Sequence, residues 1–350
     1  MTNRALITGI TGQDGAYLSK FLLEKGYEVF GLYRRLSAPN FWRLQYLDVF
    51  DKVSLIPADL IDMGSLLDAI RFSKPDEVYH LAAQSFVGAS FEQPVATGQV
   101  TGLGVTRILE TIRQINPNIR FYQASTSELF GDATSVTLDE NTVLKPASPY
   151  GAAKLYGYWM TKVYRSGFKI FACNGILFNH ESPIRGLEFV TRKISNAVAK
   201  NALGIQKELR LGNLEATRDW GYAPEYVESM WLMLQQKMPD DYVVATCESH
   251  SVMEFVEKAY GCAGLDWQDF VKVDRKFLRP LDLSLTGADC SKIRKLGWSA
   301  KVKFDELVKI MVKEDLTRWE RWQKGERFPW DAPNFPGEDK MISKYHVKDE

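Results

Sequence analysis

The sequence lacks a charge bias: in 350 residues Lys+Arg and Asp+Glu are both 44, so the formal net charge is zero. Such a chain has no broad basic field for nucleic acid or an anionic membrane surface, and any anionic ligand must be held by local groups. Cysteine is scarce, and Cys173, Cys247, Cys262 and Cys290 include no pair at zinc-ligand spacing. Cys173 and Cys247 lie in apolar, strand-like runs where a free thiol acts as a small hydrophobe, a usage suited to a reducing cytoplasm. No apolar run approaches a membrane span, and the opening MTNRALITG enters a strand without the apolar core of a signal peptide. The expectation is a cytoplasmic protein with no nucleic-acid, membrane or metal partner.

The first half alternates short apolar runs with helical periodicity. ALITG (5–9), YEVFGLYR (27–34), VSLIPADL (53–60), EVYHLAA (77–83) and NIRFYQAS (118–125) read as strands. Gly15 to Gly26 reads as a helix with Tyr17, Leu18, Phe21 and Leu22 on one face, and further helices fall near 62–73 and 93–115. Alternation of this kind implies a parallel, doubly wound α/β sheet with right-handed crossovers. FKIFACNGILF (168–178) is a further long apolar strand, and 219–246 reads as helix plus strand ending in DYVVAT. Around these the pattern is irregular, which implies a smaller second unit built from discontinuous pieces. From Gly325 the chain is rich in Pro and aromatics and reads as a tail that wraps the surface.

TGITGQDGAYL follows the first strand directly and opens the first helix, with Gly9, Gly12 and Gly15 at three-residue spacing. A dinucleotide pyrophosphate needs a tight turn, a close backbone approach and a helix N-terminus, and this context supplies all three. The second strand ends in Arg34-Arg35 with no acidic residue nearby. Guanidinium groups suit a ribose 2′-phosphate, so NADP is favoured over NAD; otherwise the two arginines decorate a solvated loop. Asp59 either meets the adenine or caps a helix.

STSELFG (125–131) puts Thr126, Ser127 and Glu128 where the fifth strand ends. Hydroxyls there satisfy free backbone groups of a turn, but the ends of such strands also carry chemistry in open α/β sheets. Downstream, in SPYGAAKLYGYW (148–159), Tyr150 and Lys154 are four apart on one helical face. A tyrosine is a poor base at its ordinary pKa of about 10, and a nearby cation favours its phenolate. The pair is a device for taking a proton from an alcohol while a hydride leaves.

Seven blocks in order, GITGQDG, QASTSELFG, SPYGAAKLY, NGILFNHESP, FVTRKI, LGNLEATRDWG and YVESMWLMLQ, resemble the GDP-mannose 4,6-dehydratases of the extended short-chain dehydrogenase/reductase superfamily, over about residues 4–315. The resemblance implies a Rossmann-type sheet, spanning 1–178 plus about 219–247, that binds NADP. A nucleotide-sugar unit would span about 179–218 plus 248–325, with an extended tail over 326–350. It implies a redox-neutral lyase: Tyr150 deprotonates the sugar 4-hydroxyl, aided by Lys154, and Thr126 bonds the 4-oxygen. Glu128 removes the C5 proton, and Glu128 or Ser127 protonates the departing 6-hydroxyl. Epimerases and reductases of the superfamily do without such a carboxylate, so Glu128 marks elimination across C5–C6.

The resemblance also places Thr11, Gln13, Asp14, Leu60, Leu81, Ala82 and Ala83, with Asn179, at the cofactor. Ser85, Asn179, Val190, Lys193 and Gly212 fall at the substrate, and Arg218 and Arg279 align with arginines that hold a diphosphate. Failing that, each arginine forms a surface or interdomain salt bridge. His180 reads as a hydrogen-bonded structural histidine, since no second His stands at metal-ligand spacing. The likeness lapses at SPIRG, where Ile184 replaces an arginine, in the loop LSAPNFWRLQYLDVF (36–50), before Arg279 and after about Arg318. Those regions would shape the pockets and, for the loop, a tetramer. The alternatives are therefore a GDP-heptose or another nucleotide sugar as substrate, or an epimerase or reductase on the same fold. The assembly expected is a homodimer or homotetramer.

Overall fold

The computed structural model describes residues 2–131, 137–277 and 287–334. β1 (Arg4–Thr8) leads into α1 (Gln13–Glu24), β2 (Glu28–Tyr33) into the short α2 (Trp42–Tyr46), and β3 (Ser54–Pro57) into α3 (Met63–Ser73). β4 (Glu77–His80) is followed by α4 (Val87–Glu92), α5 (Pro94–Thr97) and α6 (Leu103–Ile115). Next come β5 (Arg120–Thr126), α7 (Pro149–Gly167), β6 (Ala172–Leu177), β7 (Asn179–Glu181) and α8 (Val190–Ala202). The rest is β8 (Leu209–Leu211), β9 (Thr217–Arg218), β10 (Trp220–Tyr222), α9 (Ala223–Leu234), β11 (Asp241–Val244), β12 (His250–Ser251), α10 (Val252–Cys262), β13 (Val271–Val273), α11 (Ser291–Arg294) and α12 (Phe304–Gln323).

The main sheet has seven parallel strands in the order β11-β6-β5-β4-β1-β2-β3. The order reverses between β1 and β4, and a crevice opens there at the strands' C-terminal ends. Near-continuous burial of Ala5, Leu6, Ile7, Val78, Tyr79, Phe121 and Tyr122 follows from helices covering both faces.

The local departures from the sequence reading have physical causes. Strand β4 ends at His80 rather than residue 83 because the Leu81 and Ala82 amides donate to Thr8 Oγ1, each at 3.1 Å, instead of to a ladder. Strand β3 ends at Pro57, and the Ala58 amide makes the last bond to β2, at 3.1 Å to the Tyr33 carbonyl. The helical run 93–115 is interrupted by a π turn over Gly98–Gly102. Asp59 does not cap a helix: it accepts from Ile61 N at 3.1 Å in a turn, and Asp62 caps α3 through Gly64 N and Ser65 N.

A separate apolar cluster forms where α8, α10 and α12 meet, with Ile194, Phe255, Leu307 and Met311 fully buried. Each such side chain contributes about 1.5–3 kcal/mol by leaving water. Beside it lies a buried ionic knot: Arg192 Nη2 is 2.8 Å from Asp315 and 3.4 Å from Asp331. The described part of the tail does not merely wrap the surface. Trp330 is buried against Trp319, with ring centroids 4.9 Å apart, and Asp331 belongs to the knot. Residues 335–350 lie outside the described residues.

Candidate active site

The crevice holds a cavity of about 630 Å³ that extends from the glycine turn to β9 and β10. At its floor Gly9 has φ +72°, and a Cβ there would lie 2.9 Å from the Ala82 backbone. A Cβ on Gly15 would sit 2.5 Å from the Gly9 carbonyl, so the turn closes only if both side chains are absent. The result is a bare backbone cradle ahead of α1, which fits a pyrophosphate. Thr8 braces it, its hydroxyl also meeting His80 Nδ1 at 2.8 Å. Burial pulls the His80 pKa down to about 3, so this imidazole stays neutral.

β5 and α7 bring Thr126, Ser127, Glu128, Tyr150 and Lys154 together on one wall. Thr126 performs the turn role that the sequence allowed: Glu128 N donates to its Oγ1 at 3.3 Å. The same residue hydrogen-bonds near Tyr150, where it favours the phenolate. α7 starts with Ser148 accepting from Gly151 N at 3.0 Å and with Pro149 in its first turn, which sets the helical phase for Tyr150 and Lys154. Lys154 is buried and donates to the Ala124 carbonyl at 2.6 Å. Burial draws its pKa down to about 8. Its Nζ is 5.8 Å from the Tyr150 ring centroid. The Tyr150 phenol is pushed up rather than down, by burial and then by the Glu128 carboxylate. Thr126 and the Arg185 charge pull the other way without reversing it.

The opposite wall comes from β7, α8, β8 and β9. Asn179, Val190, Lys193, Gly212 and Arg218 line it, while Ser85, Leu81 and Ala83 line the cavity from the loop after β4, beside the glycine turn. Lys193 donates to the Arg210 carbonyl at 2.7 Å and stands 4.1 Å over the Phe277 ring. Arg218 donates to the Thr217 carbonyl at 2.7 Å. The two walls are bolted together at the turn. His180 Nε2 meets Asp14 Oδ2 at 2.8 Å, Gln13 donates to the His180 carbonyl at 3.0 Å, and Ser182 donates to Gln13 Oε1 at 2.7 Å. The His180 ring stacks on Tyr226 with centroids 4.6 Å apart, so it is the structural histidine expected. Burial raises the Asp14 pKa, but His180 more than offsets this and holds it at about 2. Burial lowers the His180 pKa, and Asp14 reverses that to a net rise.

The family model for GDP-mannose 4,6 dehydratase matches residues 6–311. The chain belongs to the GDP-mannose 4,6-dehydratase family. It is 51% identical over 323 residues to GDP-mannose 4,6 dehydratase 1 of Arabidopsis thaliana, covering 89% of each chain. It is 48% identical over 341 residues to the GDP-mannose 4,6 dehydratase of Homo sapiens, covering 90% of this chain and 91% of that one. Among solved structures it resembles the UDP-glucose 4-epimerase of Thermus thermophilus in complex with NAD, at 26% identity and a TM-score of 0.78, covering 89% and 98% of the two chains.

Within this family member, not every expected site residue faces the cavity. Thr11, Ala82, Leu60, Asp59, Arg34 and Arg35 are absent from its lining. Leu60 is a core residue packed with Val105 and Ile108, and Arg34 and Arg35 are exposed just beyond β2. Arg279 lies outside the described residues. Ile184 is fully buried in the core and does not line the cavity. Its carbonyl accepts from Arg43 Nε at 2.8 Å, and Arg43 also reaches the Thr11 carbonyl at 3.4 Å. The divergent loop thus folds onto its own chain.

Sequence reasoning missed Arg185, which lines the cavity, pairs with Glu181 at 3.2 Å and stacks 3.6 Å over Phe189. The signal was present in SPIRG, where the lost arginine drew notice from the retained one. It also missed Phe86, which meets Phe189 edge-on at 6.0 Å across the crevice, and the brace at Thr8. Among the described residues no group of three or more His, Cys, Asp or Glu could hold a metal ion. No helix among them is long and apolar enough to cross a membrane.

Proposed function

We propose that this chain converts GDP-mannose to GDP-4-keto-6-deoxymannose, with NADP as a retained cofactor. Family membership supports the reaction, and the observation that carries it is Glu128 beside Tyr150 at the end of β5. The dinucleotide, when bound on the glycine cradle, supplies hydride acceptance at C4 and hydride return at C6. Tyr150 takes the proton of the 4-hydroxyl, with Thr126 bonding the 4-oxygen. Lys154 orients the ribose edge from its seat on Ala124. Glu128 removes the C5 proton made acidic by the 4-keto group, and Glu128 or the buried Ser127 protonates the leaving 6-hydroxyl. Asn179, Val190, Lys193 and Gly212 hold the nucleotide sugar, and Arg218 and Arg279 hold its diphosphate. The units 1–178 plus 219–247 and 179–218 plus 248–325 divide these tasks.

Arg34 and Arg35 support NADP over NAD through their place after β2. Exposed Tyr156, Trp159 and Val163 recur on one side of α7, and Leu103 is exposed on α6, which supports a homodimer through this face. The loop 36–50, turned inward by Arg43, favours a dimer over a tetramer. The location is cytoplasmic.

Glu128→Gln tests the reading. It is expected to oxidise C4 slowly and accumulate the absorbance of reduced nicotinamide, with release of 6-deoxy product falling about 100-fold or more. Product release at the parent rate, followed by mass spectrometry for loss of water, would overturn it.

A further inference from the structure

Outside the cavity, two of the four cysteines come together at the end of β11. Cys247 is exposed, and its backbone is held in the left-handed region at φ 66°. Cys290, at the head of α11, is buried. Their sulfurs are 3.1 Å apart. The surroundings of the two differ. Arg294 Nη2 donates to Cys247 Sγ at 3.4 Å, whereas Cys290 Sγ faces the Ala245 carbonyl at 3.3 Å. One thiol is thus placed to ionise and meet solvent, the other to keep its proton until called on.

This pair is wired to the cavity. Asp219 is buried and accepts from Cys247 N at 2.7 Å, from Thr246 N at 3.0 Å and from Thr246 Oγ1 at 2.8 Å. Its chain neighbours are Arg218 and Trp220, both of which line the cavity. β12, just beyond the thiol loop, pairs with β9 so that His250 opposes Arg218. A displacement of Cys247 therefore reaches Arg218 by two routes, through Asp219 and along β12.

From this geometry we propose that Cys247 and Cys290 form a reversible disulfide that retunes the Arg218 wall. Cys247 thiolate attacks hydrogen peroxide, breaking the O–O bond to give a sulfenic acid and hydroxide, which is protonated to water. The Cys290 sulfur then attacks the sulfenic sulfur; the S–S bond forms, the S–O bond breaks, and a second water leaves with the Cys290 proton. Two thiols are oxidised and one peroxide is reduced to two waters. A dithiol reductant reverses the step by exchange. Closure brings the sulfurs from 3.1 Å to about 2.05 Å, a movement of about 1 Å. The hydrogen bond from Cys290 and the charge of Arg294 bring the Cys247 pKa down to about 7, which makes it the attacking thiol. By contrast burial pushes the Cys262 thiol up, so Cys262 is the internal comparator.

The effect on Arg218 rests on the proposed function; the cross-link does not. The full-length enzyme is treated with hydrogen peroxide, then digested without reduction and read by mass spectrometry. A Cys247–Cys290 linked peptide is expected before any modification of Cys262, and it disappears with dithiothreitol. In parallel, KM for GDP-mannose is expected to rise about fivefold or more, the low end of coupling between sites, and to return on reduction. Cys247→Ser, at an exposed position, keeps the reduced enzyme's KM and loses the peroxide response; Cys290→Ser does the same, with thermal melting to confirm its fold. Oxidation of Cys247 to sulfinic acid without a linked peptide overturns the disulfide. A linked peptide with KM unmoved overturns the coupling to Arg218. An enzyme without turnover on GDP-mannose still gives the peptide result, which keeps the two readings apart.

Discussion

The floor and the far wall of the cavity are built on opposite principles. The floor is backbone and small side chains: Gly9, Gly15 and the Leu81–Ala83 loop braced by Thr8. The far wall is long charged side chains, Arg185, Lys193 and Arg218, mounted partly on strands of two or three residues. A backbone cradle recognises what every dinucleotide shares, and it tolerates no added atoms. A wall of side chains can be retuned one residue at a time. The first should fail abruptly on substitution, the second by degrees.

Gly15→Val is the most severe way to break that comparison. Its branched side chain would collide with the Gly9 carbonyl and the Ile10 backbone, 2.5 and 2.6 Å from where a Cβ must sit. Cofactor retention is expected to fall at least about 100-fold, since strained turns and lost anion contacts add. Titration with NADP and circular dichroism together check this; a folded variant that binds as the parent does would refute the cradle.

Arg218→Lys tests the far wall. The charge stays but bidentate recognition of a diphosphate is lost, so KM for GDP-mannose should rise about 10-fold while kcat changes little. A fall in kcat with unchanged KM would place Arg218 in the chemistry rather than in binding.

The bolt between the walls is tested by stability rather than by binding. Asp14 is held at about 2 against an ordinary 3.8, so its contribution is complete above about pH 4 and is lost as pH falls toward 2. His180 is raised, so its contribution is complete below its ordinary 6.5 and is lost as pH rises through its higher folded value. Asp14→Asn should lower stability by about 2 kcal/mol near pH 5, with a smaller difference both at higher pH and below pH 3. Melting curves across that range are the check, and a loss independent of pH would show that packing, not charge, is what the substitution removes.

The same contrast explains what could be read in advance. Strand and helix positions were legible because burial on both faces writes continuous apolar runs, and the cradle because glycine spacing is local. Tyr150 and Lys154 were legible because they share a helix. The Thr8 brace and the inward turn of Arg43 were not, since each depends on a partner far along the chain; Arg185 pairs locally with Glu181 and Phe189, and only the fold turns it to the cavity. Leu60 and Ala82, expected at the cofactor, do not line the cavity: both pack into the core beneath the sheet's apolar face.

The knot around Arg192 bears on how the polypeptide is made. Its partner Asp331 follows it by 139 residues. While translation proceeds, α8 emerges long before the carboxylate that neutralises it, and a guanidinium without its counter-charges resists burial. Asp315, carried on α12 itself, supplies the first counter-charge at 2.8 Å, and Asp331 adds a second at 3.4 Å once the segment bearing Trp330 has been made. The contact between α8 and α12 is thus neutralised in two stages along the chain, the second arriving with the ring that Trp330 packs on Trp319.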